Sequence, residues 1–119
     1  MAEDSKGIKF DGDKPNLTFI PKEAMFEMGK ALSFGAKKYG DHNYRNGMKV
    51  SRQLAAALRH IYQHLDGETL DPESGVTHIG HALASLAMAC YTLNNHKDLD
   101  DRFVGDLQKH NNKGEKNGI

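Results

Sequence analysis

Apolar residues recur at helical spacing in three stretches of the chain, and segments rich in breakers separate them. In "SRQLAAALRHIYQHLDGE", Leu54, Leu58, Ile61 and Leu65 follow one another at intervals of four, three and four residues. That rhythm puts them along one side of an α-helix. It predicts a helix over 51–66, capped by Ser51, stopped by Gly67 and buried along that stripe. Upstream, "PKEAMFEMGKALSFGAKKYG" brings Met25, Met28 and Leu32 close together behind Pro21, which suits a first turn because the amide there has no intrahelical partner. A helix over 21–38 is expected. Downstream, "DPESGVTHIGHALASLAMACYTL" predicts a helix over 75–94, with Asp71 or Ser74 as its N-cap and Ile79, Leu83, Leu86 and Cys90 facing inward. Ala55 to Ala57 in one helix, and Ala82, Ala84, Ala87 and Ala89 in the next, allow close approach.

The intervening segments read as connections. "IKFDGDKPNLTFIP" mixes Ile8, Phe10, Leu17, Phe19 and Ile20 with charges, glycine and proline, so residues 1–20 are expected to form an irregular arm. "GDHNYRNG" is a turn-rich loop broken most strongly at Asn46-Gly47. A short helix through "RFVGDLQKH", with Phe103, Val104 and Leu107 as its apolar side, and a frayed tail are expected over 97–119. No repeat or sustained heptad interrupts this order. The fold class expected is all-α: a compact antiparallel bundle of about three long helices, with a core over 21–96, plus a short C-terminal helix.

Composition narrows the picture. A chain of 119 residues with 38% apolar content suits one small domain, and hiding several apolar stripes favours assembly with further copies into a homo-oligomer. Sixteen basic and sixteen acidic residues cancel. This balance argues against a polymeric nucleic-acid partner but allows a local basic pocket for phosphate. A single cysteine, Cys90, excludes an intrachain disulfide and fits a reducing cytoplasm. The charged beginning "MAEDSKGIKF" does not resemble a signal peptide, and "IGHALASLAMACYTL" is too short to span a bilayer. Cytoplasmic location without membrane association is the expectation.

The polar residues hold the candidate chemistry. His60 and His64 lie one turn apart beside the leucine stripe, and His78 and His81 occupy the corresponding flank of the next helix. Asp66, Glu68, Asp71 and Glu73 stand at the connecting end. Imidazole and carboxylate suit divalent first-row metals, whereas Mg prefers oxygen alone. The competing reading is half-exposed structural histidines above an ordinary helix cap, since no dedicated zinc spacing is present. Glu23 and Glu27 repel mildly at their spacing, and a cation would relieve this; alternatively Lys30 compensates Glu27 and Glu23 favours the helix N-terminus. In "FGAKKYGDHNYR", Lys37, Lys38 and Arg45 are candidates for phosphate, while Tyr39 or Tyr44 and Asn43 are candidates for a base. Arg52 and Arg59 add charge nearby, and a merely solvated basic surface is the other reading. Glycine-rich phosphate loops, dinucleotide turns and serine elbows are absent from the sequence, and Cys90 falls on an apolar face where a thiol is inert. Metal-assisted attack on a phosphorylated small molecule survives.

Four segments, "KFDGDKPNLTFIPKEAM", "FGAKKYGDHNY", "AAALRHIYQHLDGETLDPESG" and "HIGHA", occur in order between Lys9 and Leu93. Together they resemble the phage and prophage dATP/dGTP diphosphohydrolase family, related to the MazG-like all-α nucleotide pyrophosphohydrolases. The resemblance implies a helical oligomer, dimer or tetramer, that uses Mg or Mn to split a purine deoxynucleoside triphosphate into monophosphate and pyrophosphate. For a phage-encoded chain it also implies a role in shaping the nucleotide pool of the host cytoplasm. The general MazG-like pattern has a close Glu pair on one helix and a Glu with an Asp three residues later on another. Here Glu23 and Glu27 are four apart, and His78 and His81 stand where that Glu and Asp are expected. The histidines leave other first-row metals open, and His60, Glu68, Asp71, Glu73, His78 and His81 match the His-rich form of the closer family. Residues and resemblance together nominate Glu27, His60, Glu73 and His81 as catalytic and Glu23, Glu27, His60, Asp71, His78 and His81 as metal ligands. They nominate Lys37, Lys38, Tyr39, Asn43, Arg52 and Arg59 for nucleotide binding. The alternatives are a protein that sequesters a nucleotide without turning it over, and a purely structural helical oligomer.

Overall fold

Pro21 marks where the first helix begins. Its backbone is extended (φ −65°, ψ 141°), so it lies at the N-cap rather than inside the first turn, and its carbonyl accepts from the amides of Ala24 and Met25. In the computed structural model, which describes residues 6–104, helix α1 spans Lys22–Tyr39, α2 Val50–Leu65 and α3 His78–Asn95. Short 3-10 turns occupy Leu17–Phe19, Asn43–Asn46 and Lys97–Leu99. Among the described residues the only extended pairing is an isolated antiparallel bridge between Leu70 and Thr77. The all-α class and the positions of the three long helices are those the periodicity predicts. Residues 6–20 are exposed and irregular apart from the first 3-10 turn. The expected C-terminal helix is not formed over 101–104, and its remainder lies outside the described residues. No helix among the described residues is long and apolar enough to cross a membrane.

Helix α3 is the central element, packed against both α1 and α2. Where it meets α1, Gly80 lets backbone touch backbone: a Cβ there would lie 2.7 Å from the carbonyl oxygen of Glu27. Thr77 locks the same junction. Its hydroxyl accepts from the Gly80 amide (2.9 Å) and donates to Glu27 Oε1 (2.8 Å), capping α3 and tying it to α1. This corrects the expectation of an Asp71 or Ser74 cap. Those residues close a separate turn, in which Asp71 Oδ2 accepts from the amide (3.0 Å) and hydroxyl (2.9 Å) of Ser74. Gly75, at φ +73°, then redirects the chain before the helix starts.

Helix α2 departs from expectation in two ways. Its N-cap is Lys49, which contributes no side-chain bond; Ser51 instead turns its amide and hydroxyl to the Asp101 carboxylate, at 2.9 and 2.5 Å. The second departure concerns burial. Gln53 and Ala57 are each 2% exposed, whereas Leu58 is 52% and Leu65 69% exposed. On α3 the buried face is Ala82, Ala84, Ser85, Ala89 and Thr92, while Ile79, Leu86 and Cys90 are exposed. The two helices meet through small residues, which let the backbones approach closely. The leucine stripe expected in the core therefore faces outward from the single chain. Ala31, Val76 and Ala84 form the apolar centre, flanked by Met28 and Leu32.

Candidate metal centre

The segment between α2 and α3 carries Asp71 back toward His60. The Leu70–Thr77 bridge, with the Asp71 amide donating to the Val76 carbonyl (2.8 Å) and the His78 amide to that of Thr69 (2.9 Å), fixes the return path. His60, Asp71 and His78 then converge: one ligand atom from each lies within 4.8 Å of the others. The rings of His60 and His78 meet through their Nδ1 atoms at 2.8 Å. His81 stacks on His60, with centroids 4.6 Å apart and planes 12° from parallel. Of the four histidines expected to flank the groove, His60, His78 and His81 are together; His64 is exposed in the last turn of α2.

Hydrogen bonds decide which ring nitrogens are free. His78 Nε2 lies 2.8 Å from Glu68 Oε1, and an ionised carboxylate can only accept, so His78 donates there; its Nδ1 then accepts from His60 Nδ1–H, which leaves Nε2 as the unprotonated nitrogen of His60. The His78 and Gln63 contacts hold Glu68 below the usual carboxylate range. A carboxylate holding the far nitrogen of an imidazole is the arrangement that orients a metal-ligating histidine. Around His81, the Ser74 hydroxyl donates to Asp71 and so accepts from His81 Nε2, 2.6 Å away. His81 Nδ1 is left as the unprotonated nitrogen. Burial, then the neighbouring histidines, pushes His60 down from its ordinary value; burial also pushes His81 down, with Asp71 opposing it. Burial alone would raise Asp71, but the bonds from Ser74 and the adjacent imidazoles hold it low. The cluster thus sets a carboxylate held low by its hydrogen bonds beside His60 and His81, whose burial favours the neutral imidazole that a metal requires. That donor set fits a divalent first-row ion.

A cavity of about 520 Å³ opens beside the cluster, lined on this side by His60, Asp71 and His81. Of the residues nominated from sequence, Lys38, Tyr39, Asn43 and Glu73 also line it. Lys38 Nζ is 2.7 Å from Glu73 Oε2, and this contact, then Tyr39, raises the lysine above its ordinary value. Glu23, Lys37, Arg52 and Arg59 are exposed and outside the lining. Glu27 is engaged elsewhere: Lys30 (2.8 Å) and Thr77 (2.8 Å) hold its carboxylate and keep it low, in keeping with the charge-compensation reading. Three residues that shape the site lie outside the catalytic, nucleotide-binding and ligand sets nominated from sequence. Glu68 and Ser74 orient the imidazoles, and Gln53 lies buried in the cavity wall. Glu68 carried a signal in its place in the His-rich pattern of the family, and Ser74 in the turn-forming "DPESG"; Gln53 carried none.

The sequence is similar to that of a known protein. A relative described as a dATP/dGTP diphosphohydrolase, from Salmonella phage PMBT28, is 36% identical over 96 residues, covering 81% of this chain and 33% of the relative. The chain thus spans about a third of the length of the curated relative it matches. No solved structure matches it. The family profile for the dATP/dGTP diphosphohydrolase N-terminal region matches residues 4–102, a span that takes in all three helices and the whole histidine cluster. The chain therefore belongs to the dATP/dGTP diphosphohydrolase family.

Proposed function

We propose that this chain hydrolyses purine deoxynucleoside triphosphates, dATP and dGTP, to the monophosphate and pyrophosphate with a divalent ion held by His60, Asp71 and His78. The observation that carries the reading is the convergence of these three side chains beside a cavity large enough for a nucleotide. The mixed nitrogen and oxygen donors favour a first-row ion such as Mn over Mg. When bound, such an ion supplies Lewis-acid polarisation of a phosphoryl oxygen and a water made nucleophilic at neutral pH. Family membership and the relative's description support cleavage between the α and β phosphates.

The chain's own residues divide the remaining work. His81, oriented through Ser74 by Asp71, holds an unprotonated Nδ1 and takes the proton of the attacking water. Glu68 keeps His78 in its ligating tautomer. Lys38 exchanges Glu73 for phosphate oxygens, matching cation to developing charge. Tyr39 and Asn43 border the same opening. Residues 21–96 form the unit that carries the site. The outward Leu54, Leu58 and Leu65 and the exposed Ile79 and Leu86 support a homo-oligomer, at least a dimer.

The test is turnover of dATP, dGTP and pyrimidine triphosphates by chelator-stripped protein, with and without added Mn, detecting pyrophosphate and orthophosphate separately. Metal-dependent pyrophosphate release from purine substrates is expected. Orthophosphate as the primary product would overturn the cleavage position. Nucleotide bound and recovered intact would establish sequestration instead.

A further inference from the structure

Gln53 is 2% exposed, lines the cavity, and is the residue whose side-chain oxygen, Oε1, lacks a hydrogen-bond partner among the buried atoms of the described residues. Buried amide oxygens are normally paired, so an orphan on a residue that lines a cavity points to a donor from outside the chain. Its orientation is fixed. Gln53 Nε2 donates to Thr92 Oγ1 (3.1 Å), and that hydroxyl donates in turn to the Met88 carbonyl (3.0 Å). Thr92, fully buried, has therefore spent its proton and can only accept from Gln53. With the Thr92 proton on the Met88 carbonyl, the amide nitrogen pairs with Thr92 and the oxygen takes the orphan position.

Gln53 and His60 are seven residues apart on α2, two turns on one face, with a rise of about 10.5 Å between them. A sugar and base extend over a comparable span from a phosphate. Ala56, Ala84 and Met88 line the same cavity, giving alkyl walls suited to a flat ring. We propose that Gln53 Oε1 is the base-reading acceptor of the cavity, taking an N–H from the edge of a purine whose phosphates lie at His60, Asp71 and His78. This rests on the nucleotide reading above and adds the contact that selects the base. Adenine offers its 6-amino group, and guanine its ring N–H or 2-amino group, so one acceptor serves both. A base with only acceptors on that edge leaves Gln53 unpaired.

The experiment is calorimetric binding of two monophosphates, dAMP and the purine deoxyribonucleotide bearing hydrogen in place of the 6-amino group, to wild type and Gln53→Met. The wild type is expected to bind dAMP about tenfold more tightly than the analogue, the order of one buried hydrogen bond. Gln53→Met is expected to bind the two equally. Thr92→Val, which releases the amide from its orientation, should narrow the wild-type preference. Equal binding of both ligands to wild type, or binding of neither, overturns the proposal without any variant having to fold; so does full discrimination by a folded Gln53→Met. Hydrolysis is not involved. Discrimination without triphosphate turnover would keep Gln53 and remove the enzymatic reading, while pyrophosphate release without discrimination would do the reverse.

Discussion

Replacing Gly80 by alanine adds one methyl group where two helices already touch. The new carbon would lie 2.7 Å from the Glu27 carbonyl oxygen and 3.1 Å from both its carbon and Thr77 Oγ1. A backbone carbonyl inside α1 cannot swing aside as a side-chain tip can, so α1 and α3 must separate by several tenths of an ångström. Overpacking of this kind costs about 1–3 kcal/mol. Alanine is also a better helix former than glycine by about 1 kcal/mol, which offsets part of the loss. Gly29 supplies the control, because it lies in α1 with open space around its would-be Cβ. Gly29→Ala should therefore stabilise, and Gly80→Ala should fall below it by about 1–3 kcal/mol. Urea unfolding followed by circular dichroism reads this directly, at one protein concentration because association shifts apparent stability. With a slope of about 1–3 kcal/mol per M, the midpoints should separate by roughly 1 M. Coincident midpoints, or Gly80→Ala as the more stable protein, would refute the close helix junction.

Glu68→Gln is expected to weaken Mn binding about 10- to 100-fold by calorimetry with helix content unchanged, since it loosens the His78 tautomer without removing a ligand. Leu58→Glu should convert an oligomer into a folded monomer by sedimentation, because the side chain is half exposed on the single chain; a wild type already monomeric at micromolar concentration would remove that interface. In metal-free protein, His60 and His81 lie below their ordinary value of 6.5, so the unfolded chain binds more protons than the folded one just under that pH. Thermal stability should hold above about pH 6.5 and fall as pH drops through that value toward the folded pKa. His81→Asn should flatten this dependence, and an unchanged slope would mean that its imidazole is not shifted.

The helices were legible because strong periodicity fixes where a helix runs. It does not fix which face finds a partner inside the chain. Helix α2 has two rows, the leucines and the row of Gln53, Ala57 and His60, and the alanines of α3 selected the smaller one. Bulk normally seeks burial and so predicts the larger row in the core, a rule that a chain with outward apolar faces violates. The histidines could be placed from sequence, since His60, His78 and His81 lie on facing flanks of helices joined by a short segment. Glu27 could not. Its carboxylate is captured by Thr77, fifty residues away, and separations of that kind carry no local pattern. The pairing of Gln53 with Thr92, thirty-nine residues apart, was hidden for the same reason.

The central claim, that His60, Asp71 and His78 hold one divalent ion, is tested most directly by titrating chelator-stripped protein with Mn in a calorimeter. Wild type, His60→Ala and Asp71→Asn are compared at equal helix content. One ion per chain is predicted for wild type, with binding lost in both variants. Wild-type affinity and stoichiometry in either folded variant would contradict the assignment.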